Sequence, residues 1–157
     1  MKLIDISSPK YPNAFAMVDD ADFDWLNQWK WCLNAQLYVI KSAGIKNKKI
    51  RMHRLILNPP IGMFCDHIDG NKRNNQRNNL RICSISENGM NSKKRSNSES
   101  KFKGCRYNKI NKNYNAEIKA KNKRIFLGCF KTEIDAALAY NEAAKKHFGE
   151  FARINII

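Results

Sequence analysis

The feature that most constrains this chain is a polar stretch held between two short apolar ones. Cys65-Asp66-His67 leads into Ile68 through Asn79, and Leu80-Arg81-Ile82-Cys83 follows. The apolar pieces are too short for helices and read as strands. The stretch between them holds Gly70 and five asparagines and reads as a long loop, with Asp69 and Asn71 as turn residues. Ser84 and Glu87 then stand three apart, the spacing of a capping box, and start a helix that carries Asn88 in its first turn. The order is strand, loop, strand, helix. A carboxylate, an imidazole and an amide (Asp66, His67 and Asn88) stand at its joints.

Those three side-chain types are the parts that phosphodiester hydrolysis needs. A hard divalent cation takes oxygen ligands, which Asp66 and the Asn88 amide oxygen supply; Mg²⁺ is the expected ion, with Mn²⁺ as the alternative. A neutral imidazole takes a proton from water near neutral pH, which makes His67 the expected general base. The whole pattern, Asp66-His67-x-x-Gly70-Asn71-x-x-Asn74-Asn75-x-x-x-Asn79-Leu80-Arg81 with Asn88 nine residues after Asn79, resembles the HNH endonucleases. It is most similar to the phage and intron-type homing endonucleases with the ββα-metal fold. The likeness runs over residues 15–92, through Val18-Asp19-Asp20, Trp31 and Met52-His53-Arg54-Leu55. It implies that His67 is the general base, that Asp66 and Asn88 hold the metal, and that Asn79 braces the long loop. His53 stands open between a role at the site or on DNA and packing between strands. Lys72, Arg73, Arg77 and Arg81 read as phosphate contacts, because a loop beside a hydrolytic site meets DNA.

Charge points the same way. The 157 residues include 29 Lys and Arg against 14 Asp and Glu, a net +15, which suits a polyanion such as double-stranded DNA. No apolar run approaches the roughly 20 residues that span a bilayer, and Met1-Lys2-Leu3-Ile4-Asp5 has no signal-peptide core. The expectation is a protein that is neither secreted nor in a membrane, in the cytoplasm of a bacterium or a phage-infected host cell. Five cysteines, an odd number with no CxxC pair, argue against a zinc knuckle or a disulfide framework and for free thiols.

Upstream, residues 1–57 read mostly as short strands: Phe15–Val18, Leu37–Ile40 and Ile50–Leu57. A helical turn over Asp22–Trp31 places Trp25 and Trp29 on one face, and all three tryptophans are expected in the core.

Downstream, Asn113 to Lys121 alternates cleanly. Tyr114, Ala116, Ile118 and Ala120 face one way; Asn115, Glu117, Lys119 and Lys121 face the other. Arg124 to Gly128 repeats the pattern with Ile125 and Leu127 inside, and a first strand lies around Gly104–Tyr107. Residues 101–124 hold nine basic side chains and one acid, so one face of this sheet is strongly positive. Thr132 caps a following alanine-rich helix that Gly149 ends. From Lys103-Gly104-Cys105-Arg106 through Ala116-Glu117-Ile118-Lys119, Arg124 to Phe130 and Phe148-Gly149-Glu150-Phe151, this half resembles the DNA-binding domain of plant ethylene-response (apetala-type) transcription factors. The resemblance implies a three-stranded sheet docked in the major groove, with Lys103, Arg106, Glu117, Lys119, Arg124 and Phe126 at its DNA-facing positions. Phe126 replaces the family's usual Trp, and Lys119 its usual Arg. Lysine lacks the bidentate fork that arginine offers guanine, so the family's preferred sequence does not carry over.

The expected fold class is therefore α+β: a ββα-metal nuclease module with preceding short strands, then a three-stranded antiparallel sheet packed on one helix. The expected division is 1–92 for the nuclease, 93–101 for a Ser/Asn-rich linker and 102–157 for the DNA-binding part. The expected activity is metal-dependent DNA cleavage; the alternative is a non-catalytic DNA-binding regulator with a degenerate nuclease module. One site per chain suits a nick by a monomer or two nicks by a dimer, and the sequence leaves the oligomeric state open.

Overall fold

The structure is a computed structural model and describes residues 1–44, 48–94 and 99–157. The chain mixes helices with several small antiparallel sheets and divides into two compact units, Met1–Asn88 and Gly89–Ile157. Four residues of the expected linker, 95–98, lie outside the described part.

In the first unit, β1 (Lys2–Asp5) pairs with β2 (Phe15–Val18), Leu3 opposite Met17. Helix α1 (Asp20–Leu26) follows, then a three-stranded sheet of β3 (Cys32–Leu33), β4 (Val39–Ser42) and β5 (Lys49–Arg51). Helix α2 (Met52–Leu57) leads to the hairpin β6 (Phe64–His67) and β7 (Leu80–Cys83), and the unit ends within α3 (Ile85–Met90). The core collects Ile4, Ile6, Val18, Leu26, Trp31, Val39, Met52, Ile56 and Leu80, so β1, β2, β4 and β7 contribute to one apolar cluster with α1 and α2.

Three sequence readings change here. Ile50–Leu57 is not one strand: β5 stops at Arg51 and the chain turns into α2. Met52, Arg54, Leu55 and Leu57 are good helix formers. Met52, His53 and Ile56 share the buried side, and Asn58 closes the helix in the left-handed region (φ 43°) ahead of Pro59. The second strand begins at Val39 rather than Leu37. Asn34 Oδ1 accepts from the N–H groups of Gln36 (3.0 Å) and Tyr38 (2.9 Å), which ties residues 34–38 into the β3–β4 turn. Helix α1 ends at Leu26, so Trp29 lies beyond it. Of the three tryptophans only Trp31 is buried; Trp29 is exposed under the Lys41 ammonium, 3.4 Å from its ring centroid.

In the second unit, β8 (Cys105–Asn108), β9 (Asn113–Ala120) and β10 (Lys123–Phe130) form an antiparallel sheet with β9 central. Helix α4 (Glu133–Phe148) packs on it. Ala116, Ile118 and Ala120 of β9 are buried against Ala136, Ala137, Tyr140 and Ala144 of α4. Small side chains let the helix lie close. At Gly104 (φ +78°) a Cβ would fall 1.9 Å from the Tyr140 ring, so only glycine fits beneath that tyrosine. Thr132 Oγ1 caps α4 by accepting from Asp135 N–H at 3.1 Å. All five cysteines are free. Among the described residues, no helix is long and apolar enough to cross a membrane.

Candidate active site

Strand pairing sets the first contact. Asp66 stands directly opposite Arg81 across the β6–β7 hairpin, and His67 opposite Leu80. Arg81 Nε and Nη2 both donate to Asp66 Oδ2, at 3.0 and 2.7 Å, with both side chains about nine-tenths buried. The helix that follows is fixed by its capping box: Ser84 N–H donates to Glu87 Oε2 (2.7 Å) and Glu87 N–H donates to Ser84 Oγ (3.2 Å). Asn88 is half-buried on α3, its N–H bonded to Ser84 O.

The loop between the strands is an ordered body, and its asparagines order it. Asn79, buried just before β7, accepts from Asp69 N–H (3.1 Å) and donates Nδ2 to Asp69 Oδ1 (3.0 Å) and to Asn74 O (2.9 Å). The Asp69 carboxylate also receives Asn71 N–H (2.7 Å) and Asn74 Nδ2 (2.9 Å). The loop is sewn to β2 through Met17 N–H to Arg73 O and Asn75 N–H to Met17 O. It is sewn to α1 through Arg77, whose Nε and Nη2 grip the buried Asp22 carboxylate at 2.8 Å each. Asp19, the residue before α1, accepts from Arg77 N–H at 2.8 Å. These bonds satisfy backbone groups that a loop of this length would otherwise leave to water.

His67 ends β6 inside this frame and is 4% exposed. Its Nε2 lies 3.4 Å from Asn75 Oδ1, and Asn75 is fully buried. The His53 ring meets it edge-on with centroids 4.9 Å apart, and the Tyr38 ring is 6.1 Å away. Burial pulls the His67 pKa below the ordinary histidine value; the Asn75 bond and the Asp69 and Asp66 carboxylates oppose this without reversing it. The imidazole is therefore neutral at physiological pH. His53 is buried more completely, its Nδ1 without a hydrogen-bond partner. Burial first, and the charge of His67 second, bring its pKa to about 3. His53 is thus both a packed residue and the immediate neighbour of His67.

Among the described residues, no three His, Cys, Asp or Glu side chains cluster where they could hold a metal ion alone. The Asp66 carboxylate and the Asn88 amide each carry oxygen donors of the kind a hard divalent cation takes. A structural zinc, which needs four protein ligands, does not fit.

The basic residues read as phosphate contacts fare unequally. Arg77 and Arg81 are engaged with Asp22 and Asp66. Lys72 Nζ donates to Gln36 O at 2.8 Å, and Arg73 is exposed. In the second unit, Arg106, Lys119, Arg124 and Phe126 are exposed, Phe126 by 61%, and Glu117 pairs with Arg124 at 3.6 Å. Lys103 differs. Its ammonium is half-buried and donates to Met90 O and Ser92 O at 2.7 Å each, and burial lowers its pKa to about 8. Sequence reasoning missed Tyr38, Asp22 and the contact between the two histidines, because each depends on which distant segments pack together.

A buried neutral histidine beside a carboxylate at the end of a hairpin, followed by a capped helix, is the kind of site a hydrolytic nuclease uses. Residues 58–90, which include this hairpin and α3, match the family model for HNH endonuclease. An uncharacterized HNH endonuclease of Acanthamoeba polyphaga mimivirus is 33% identical over 152 residues, covering 92% of this chain and 76% of the relative. No solved structure matches. The chain belongs to the HNH endonuclease family and is by class a DNA endonuclease.

Proposed function

We propose that this protein hydrolyses phosphodiester bonds in double-stranded DNA through a ββα-metal site made of β6, β7 and α3. His67 takes the proton of the attacking water, Asp66 and Asn88 hold a divalent cation, and Asn79 braces the loop that fixes His67. When bound, Mg²⁺ or Mn²⁺ supplies polarisation of the phosphoryl oxygen and stabilisation of the leaving oxygen. The observation that carries this reading is the state of His67: buried at a strand end, held 3.4 Å from Asn75 Oδ1, and kept neutral by its surroundings. The Arg81 guanidinium orients the Asp66 carboxylate across the hairpin through two bonds to one oxygen.

The second unit completes the proposal. Residues 1–92 cut, 93–101 link, and 102–157 hold DNA as an ethylene-response-factor-like domain. The support is a three-stranded antiparallel sheet packed on one helix, with Arg106, Lys119, Arg124 and Phe126 exposed and Glu117 among them. Arg124 with Arg106 supplies planar donors suited to bases, and Lys119 a point charge suited to phosphate. Lys103 takes a different part, fixing the entry to β8 through its two carbonyl bonds.

The test is cleavage of supercoiled plasmid in Mg²⁺ or Mn²⁺, with and without EDTA. Relaxed or linear product that needs the cation supports the reading. Equal product in EDTA, or no product on DNA that the protein binds, overturns it.

A further inference from the structure

Three rings from separate parts of the first unit converge on one place. His67 is the last residue of β6, His53 lies in the first turn of α2, and Tyr38 stands just before β4. The His53 and His67 centroids are 4.9 Å apart with their planes at 83°. Tyr38 closes the triangle, 5.2 Å from His53 and 6.1 Å from His67.

Both neighbours are anchored outside the hairpin that carries His67. Buried Met52 and Ile56 seat α2 in the apolar core, and His53 shares their side of the helix. Tyr38 is tied at its backbone to Asn34, whose N–H donates to Tyr38 O at 3.0 Å and whose Oδ1 accepts from Tyr38 N–H at 2.9 Å.

A general base must aim one nitrogen at its water. The second torsion of a histidine side chain is broad, and packing on the ring narrows it. Asn75 Oδ1 bears on one point of the His67 ring, Nε2. The perpendicular His53 ring and the tilted Tyr38 ring bear on the ring as a body. His53 suits this task. It is 2% exposed, burial keeps it uncharged, and its Nδ1 has no hydrogen-bond partner among the described residues. What it offers His67 is the surface of a flat neutral ring.

We propose that His53, backed by Tyr38, is a positioning residue that holds the His67 ring at the angle the attacking water requires. This rests on the reading of His67 as the base of a DNA-cutting site. His53 acts through His67 and not on the DNA.

The experiment compares wild type with His53→Leu, which removes the ring, and His53→Phe, which keeps one, with tryptophan-fluorescence unfolding as the control for folding. Nicking of supercoiled plasmid in Mg²⁺ is read as the rate at saturating protein and, separately, as the protein concentration that gives half of it. A displacement of about 1 Å costs a reaction on the order of a hundredfold in rate. His53→Leu is therefore expected to lose at least about tenfold in the saturated rate, with its half-saturating concentration unchanged. His53→Phe is expected to recover most of that loss. A second readout needs no activity. The chain has 3 histidines, His53, His67 and His147, so ¹³C-labelled histidine rings give a simple spectrum in which His67→Ala identifies the His67 signals. These are expected to be single and narrow in wild type and broadened or doubled in His53→Leu. A folded His53→Leu protein with the wild-type saturated rate, a loss confined to its half-saturating concentration, or single narrow His67 signals in it overturns the proposal. So does a His53→Phe protein, as stable as wild type, that nicks no faster than His53→Leu. A wild type that binds DNA but never nicks speaks against the nuclease reading, and the His67 signals still judge the positioning.

Discussion

Lowering the pH from about 7.5 to about 5 destabilises the first unit, and His53 sets a calculable part of the loss. Its imidazole titrates near 3 in the folded chain because burial penalises the charged form, against about 6.5 when unfolded. The folded state therefore binds fewer protons between these values, and stability falls as the pH drops below about 6.5. Linkage gives almost nothing at pH 7.5 and about 2 kcal/mol at pH 5, a large share of a domain's usual 5–15 kcal/mol. His67 shifts in the same direction and adds to the loss. All three tryptophans, Trp25, Trp29 and Trp31, lie in the first unit, so guanidinium unfolding followed by tryptophan fluorescence reads this unit alone. His53→Gln removes the titration at the cost of some packing. The stability gap between wild type and His53→Gln should narrow by about 2 kcal/mol from pH 7.5 to pH 5. A gap that stays constant across that range would refute the reasoning, because the buried imidazole would then titrate as it does in the unfolded chain.

Two further outcomes follow from packing. Gly104→Ala drives a methyl to 1.9 Å from the Tyr140 ring at a backbone φ of +78°; together the strain and the overlap should cost more than about 2 kcal/mol, read as a lowered far-UV melting temperature with α4 lost. Arg77→Ala leaves the buried Asp22 carboxylate with the Trp25 indole N–H at 3.1 Å. Because the guanidinium is half exposed, the loss should be about 1–3 kcal/mol, and Asp22→Asn in the same chain should recover part of it in tryptophan-monitored unfolding.

Much of the site's frame is legible in the sequence, because short-range chemistry dictates it. Ser84 and Glu87 form the capping box their spacing requires, Leu80–Cys83 is a strand bounded by polar residues, and the alternation in Asn113–Ala120 puts Ala116, Ile118 and Ala120 inside. Where local signals compete, the sequence misleads. Ile50–Leu57 is apolar enough for either a strand or a helix, and the buried side of Met52, His53 and Ile56 together with the left-handed Asn58 favours the helix. Long-range pairings leave no local trace. Nothing near Arg77 in the chain announces Asp22, fifty-five residues away, and nothing near His67 announces Tyr38 or the edge of His53. Arg81 reads as a phosphate contact until strand register sets it opposite Asp66.

The most direct test of the account separates cutting from holding. Wild type and His67→Ala are compared on the same supercoiled plasmid in Mg²⁺ or Mn²⁺, with gel-shift binding measured at the same salt. The account predicts cation-dependent nicking by wild type alone and equal binding by both, because the charge of the second unit is untouched. A His67→Ala protein that nicks as fast as wild type, or one that loses binding together with cutting while still folded, would contradict it.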